Sequence, residues 1–167
     1  MARRGVTTVI DNAGKFYAAV DLLGSTRVMV GVPESKDSRR ESGELGNAEI
    51  GYLMENGIPE NNVPARPHLV PGVKDARSKI VAYLRQAGEL AFAGRPDVVL
   101  RALNAAGLAG QSAVKARIRA GVPPPLAEST LARRKAEGFS GEKPLIRTGQ
   151  YLAAISYVLQ KIKRKKK

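Results

Sequence analysis

Two apolar periodicities of helical spacing, back to back between residues 72 and 121, constrain this chain more than any other feature. Val73, Ala76, Ile80, Tyr83, Leu84 and Ala87 recur at steps of three and four, which predicts a long helix over 72–92 with Pro71 in its first turn. The stretch "AGRP" at 93–96 breaks it. A second long helix is predicted over 97–121, with Val99, Leu103, Ala106, Gly110, Val114 and Ile118 on one face. Ala and Gly dominate its middle, so another helix can approach closely there. Each such glycine weakens an isolated helix by about 1 kcal/mol, so packing has to compensate.

Shorter elements surround this pair. A weak alternation over 5–11 reads as a short strand, and "AGKFYAAVDLLG" (13–24) as a helix with Phe16, Ala19, Val20 and Leu23 on one face and Gly24 at its end. The best strand is "TRVMVGVP" (26–33), with Val28, Val30 and Val32 in phase and Pro33 as the stop. Residues 34–47 are polar and rich in Gly and Ser, an exposed, mobile loop whose Asn47 is placed to cap a helix over 48–57. That helix carries Ile50, Leu53 and Met54 as its stripe and closes on Gly57. After "VPPP" (122–125) an extended arm is expected through 143, with a short mobile helix over 126–138. Thr148 is placed to cap a helical turn through Leu152, and 154–162 alternates as a final strand. The elements do not alternate as in a doubly wound sheet, so the fold class is α+β: a small antiparallel sheet packed with two long helices. One domain over 1–160 and a basic tail over 161–167 are expected.

Composition removes several kinds of chemistry. Without cysteine there is no disulfide, thiolate metal site or cysteine nucleophile. No apolar run approaches the roughly 18 residues of a membrane span, and no membrane partner is expected. With no Trp, three Phe and five Tyr, the core is thin, which suits a chain that leans on neighbouring subunits. The formal charge is +13, and Lys161, Lys163, Arg164, Lys165, Lys166 and Lys167 supply six of the positive charges; without them the body keeps +7. Such a tail contacts phosphates, acidic surfaces or anionic lipid, or is a solvated end that aids solubility.

Catalytic groups are sparse. His68 is the only imidazole, with no second histidine at metal spacing and no nucleophile elbow, so a structural role competes with catalysis or metal binding. Glu34, Asp37, Glu41 and Glu44 alternate with Lys36, Arg39 and Arg40, a solvated mixed-charge segment rather than a carboxylate active site. The glycines of 43–51 and 107–112 lack the Lys-Ser/Thr ending of a phosphate loop. No cofactor is expected. Arg117, Arg119, Arg133, Arg134 and Lys135, together with the tail, are candidates for phosphate contact, although no sequence-reading motif accompanies them.

The stretch "VPARPHLVP" (63–71) packs three prolines into nine residues. Val63, Arg66 and Val70 precede proline and are pushed toward extended backbone, so the segment reads as a stiff strap. On it Arg66 forms a fork suited to a carboxylate of another chain. Pro64, Arg66, Pro67 and Leu69 are therefore the interface candidates, joined by Arg147 and Thr148 near the last helical turn. Arg66→Glu is expected to leave the monomer folded and block joining. A strap crossing the protein's own core is the alternative.

In order along the chain, "VMVGVP", "AEIGYLMENGIP", "VPARPHLVPGV", "PLAESTLARRKAEG" and "KPLIRTGQYLAAISYVL" resemble the phage tail-completion or neck proteins, the minor tail protein Z-like group and related virion-morphogenesis proteins. The resemblance spans residues 26–160. The chain departs from the family at Glu55-Asn56-Gly57, where a Glu-Phe-Gly step is more usual, and at His68, where Phe is common. The second departure implies an apolar packing slot for His68. The resemblance implies a non-enzymatic virion component, assembled in the bacterial host cytoplasm, that forms a ring, commonly a hexamer. That ring would join the tail tube or tail terminator protein to a head-completion or connector protein. Non-specific contact with genomic DNA through the basic tail is the second function expected.

Overall fold

The computed structural model describes residues 12–37 and 45–162; the strand expected over 5–11, residues 38–44 of the loop and Lys163 to Lys167 lie outside them. Among the described residues the order is α1 (Ala13–Ser25), β1 (Thr26–Gly31), α2 (Asn47–Asn56), α3 (Leu69–Asp75), α4 (Arg77–Phe92), α5 (Pro96–Ala120), α6 (Glu128–Ala136), α7 (Gln150–Ala154) and β2 (Ser156–Lys161). The fold is α+β, with β1 and β2 pairing antiparallel, Thr26 opposite Lys161 and Gly31 opposite Ser156.

The central element is α5. Its predicted face is buried as drawn, with Val99, Leu103, Ala106, Val114 and Ile118 nearly or wholly inaccessible. One half of the helix meets Ala19 of α1 and Ala87 and Ala91 of α4; the other half meets Val122, Tyr151 and Ile155. The small residues in the middle admit the sheet as well as a helix, since Gly110 lies against both Val30 of β1 and Ile80 of α4. A Cβ at Gly107 would lie 2.3 Å from the Tyr157 ring, and one at Gly110 would lie 3.0 Å from Val30 Cγ2. The ribbon therefore lies directly on the α5 backbone.

The single helix expected over 72–92 is two. Helix α3 starts earlier, at Leu69, and Ala76 separates it from α4. Pro71 is thus the third helical residue, and the strap is extended only over its first part. The break also rotates the apolar stripe. Ile80, Ala87 and Ala91 face inward or toward the α5 contact, whereas Tyr83 and Leu84 are exposed.

Other ends differ in detail. Helix α1 runs through Gly24 and passes into β1, with Thr26 Oγ1 donating to Leu22 O at 2.6 Å. Asn47 is not a cap: Gly46 holds that position, and Asn47 is buried as the first helical residue. Two carboxylates serve this end instead, Asp37 Oδ1 accepting from Ala48 N at 3.2 Å and Glu49 Oε2 from Gly46 N at 3.0 Å. The arm is partly folded back on itself, since α6 turns at Gly138 and buried Arg134 donates to Gly141 O and Lys143 O at 2.9 and 3.1 Å.

Candidate functional site

The strap begins after a tight loop. Ile58 and Val63 exchange both backbone bonds, at 2.8 and 3.0 Å, and Gly57 sits at φ +79° where a Cβ would be 2.7 Å from Ala65 N. A non-glycine residue there would be strained and would collide with the strap. Arg66 N then donates to Met54 O at 2.6 Å, which lays the strap along the end of α2.

Glu55, at that end, accounts for the start of α3. Its Oε2 accepts from His68 N at 2.7 Å and Leu69 N at 2.8 Å, and its Oε1 accepts from Val70 N at 3.0 Å. The next residue, Pro71, has no N–H, and Gly72 N closes the first helical bond to His68 O at 3.0 Å. Every amide that a helix start leaves open is therefore either taken by one carboxylate or absent. The charge also lies at the favourable pole of the helix dipole. Burial raises the Glu55 carboxyl, but the three backbone bonds and His68 outweigh it and hold the group below the usual carboxylate range.

His68 is completely buried, with Nδ1 2.7 Å from Arg66 O and 3.2 Å from Glu55 Oε2, and Nε2 hydrogen-bonded to the Tyr151 hydroxyl. Nδ1 faces acceptors only, so it carries the proton, and Nε2 accepts from Tyr151 O–H. Burial lowers the imidazole from its ordinary value; the Arg66 carbonyl and Glu55 oppose the shift, and Arg117 adds to it. Burial, and then the Glu55 charge, push the Tyr151 hydroxyl well above its ordinary value. The Tyr151 ring reaches this place because α2 carries Gly51, where a Cβ would be 2.8 Å from the hydroxyl. The apolar slot expected for His68 is therefore a polar one. The histidine joins the strap to α2 and α7.

Arg66 also turns inward. It is 6% exposed, and its Nε and Nη2 donate to the Pro124 and Pro125 carbonyls at 2.9 and 3.0 Å. The outward fork expected for another chain's carboxylate is spent on the protein's own arm. A glutamate there would set a carboxylate against two carbonyl oxygens, so Arg66→Glu tests the fold rather than docking. Pro64 and Pro67 are exposed, while Leu69 is half-buried against the second core cluster. Arg147 pairs with Glu137 at 2.8 Å and lies over the Phe139 ring at 4.8 Å. Thr148 Oγ1 accepts from Gln150 N at 3.4 Å, beside the Gly149 cap.

The basic candidates separate in the same way. Arg117 bonds Asp75 Oδ2 at 2.9 Å and Arg134 is buried, so neither is open to phosphate, whereas Arg119, Arg133, Lys135 and Lys161 are exposed. Sequence reasoning missed Glu55 and Tyr151. No local spacing links Glu55 to amides 13 to 15 residues later, or Tyr151 to a histidine 83 residues away. Comparison with protein-family models, curated proteins and solved structures finds no match to this chain.

Proposed function

We propose that the chain is a non-enzymatic structural subunit of a phage neck, which assembles with copies of itself into a ring joining the tail to the head connector. The observation that carries the reading is the ribbon. Among the described residues β1 and β2 pair only with each other, and their outward face sets Met29, 49% exposed, opposite Val158, 39% exposed. The ribbon rests on α5 by one face, while its open edges are templates for pairing with another chain. Tyr52 and Phe92, 70% and 74% exposed, add apolar surface that a monomer gains nothing from showing to water.

The strap supports a holding role over a reacting one. Its one imidazole is buried, with both ring nitrogens engaged, and its arginine is bound to backbone carbonyls. The ordered resemblance over residues 26–160 supplies the setting: a ring, commonly of six, between tail tube or terminator and head-completion protein. The test is the copy number of the chain in purified particles of the phage that encodes it, by quantitative mass spectrometry. A fixed number per particle, equal to one ring, is expected. Absence from finished particles overturns the reading and brings forward phosphate contact through the basic tail over 161–167.

A further inference from the structure

Three separate segments bring cations to one side of α5. Lys115 and Arg119 stand four residues apart on the helix, about 6 Å along its axis. The turn after β1 places Lys36 beside them, its Nζ donating to Ser156 Oγ at 3.3 Å, and Ser156 Oγ lies 3.4 Å from Gln111 Oε1, one turn before Lys115. From the segment returning after α6, Lys143 Nζ donates to Arg119 O at 2.5 Å. None of these four cations is ion-paired among the described residues. Of the acids that adjoin them in sequence, the Asp37 carboxylate accepts from Ala48 N, and Glu34 and Glu142 are exposed; none forms an ion pair with the four cations among the described residues. Arg117, on the neighbouring face, has taken Asp75. The repulsion is felt within the stripe, since burial, then Lys36, then Arg119 lower the Lys115 ammonium from its ordinary value.

We propose that the stripe formed by Lys36, Gln111, Lys115, Arg119, Lys143 and Ser156 is a contact surface for the sugar–phosphate backbone of a nucleic acid, bound without regard to base sequence. Clustered like charges without counter-charge are unfavourable in the free protein and are relieved when an anion lies across them. The mixture of Lys, Arg, Gln and Ser is the set that bonds phosphate oxygens, and none of the six offers a ring for base stacking. An axial step of about 6 Å between Lys115 and Arg119 is close to two phosphate steps of one strand, at about 3.4 Å each along a duplex axis. The six residues all belong to the described body of the protein, and the proposal does not depend on the assembly reading.

The test is fluorescence anisotropy of a labelled random-sequence duplex with the full chain, wild type against the double variant Lys115→Gln/Arg119→Gln, across a salt series. The slope of log affinity against log salt should become shallower by about 1.8, two phosphate contacts at about 0.9 each. Affinity near 0.1 M salt should fall about 60-fold, while the melting temperature does not fall, because the variant also relieves repulsion within the stripe. Arg119→Gln alone, at an exposed position, should remove about half of that slope change. No duplex binding by the wild type, or an unchanged slope in both variants, overturns the proposal. So does binding of polyglutamate that the double variant loses while duplex binding persists, which would assign the stripe to an acidic protein.

Discussion

Glu55 holds three backbone amides of the strap and lies beside the His68 imidazole, so the protonation of both groups is tied to the fold. His68 has a folded-state value depressed below 6.5, so the native state binds the proton less readily than the unfolded chain. Its contribution is complete above pH 6.5 and is lost as pH falls through the depressed value. Glu55, also depressed, adds a second loss that begins only below its unfolded value of 4.5. Tyr151 acts at the other end: its raised value makes stability fall as pH climbs past 10. Urea midpoints should therefore decrease as the pH is taken below 6.5, and His68→Gln should remove that decrease while lowering stability throughout. A wild-type midpoint that stays level down to the onset of carboxylate titration would contradict this account of the imidazole.

The elements are arranged by where small residues let backbones meet. Gly107 and Gly110 let the ribbon lie on α5, and a Cβ at Gly72 would come within 2.8 Å of Val114 Cα, so α3 approaches α5 just as closely. Gly107→Ala should destabilise by about 1–3 kcal/mol, because the added methyl meets the Tyr157 ring. In a Tyr157→Ala background the same change should lose most of its effect, a coupling that a double-mutant cycle in urea measures. Equal losses in both backgrounds would mean that the ring is not what crowds the methyl. This is also the scale at which the sequence was most legible. The face from Val99 to Ile118 and the in-phase valines of β1 follow from period alone, because the burial they require is continuous along one element. The early start of α3 at Leu69 was not legible, because it is set by a carboxylate on α2 and not by its own residues. The same holds for Arg66: proline restrains the backbone that carries it, but only the returning arm decides which way its side chain points.

At the scale of the whole molecule, the polar residues of the strap are turned inward while sizeable apolar side chains face out. Met29 and Val158 cover the outer face of a two-stranded ribbon, and Tyr17, Tyr52 and Phe92 are exposed on the helices. Such a division suits a subunit whose stability and function are completed by its neighbours. The most direct measurement is native mass spectrometry of the full chain beside the double variant Met29→Lys/Val158→Lys. The wild type should form one closed oligomer, and the variant a monomer whose circular dichroism still shows the native fold. A wild-type chain that remains monomeric up to its solubility limit, or a variant that assembles as the wild type does, would contradict that expectation.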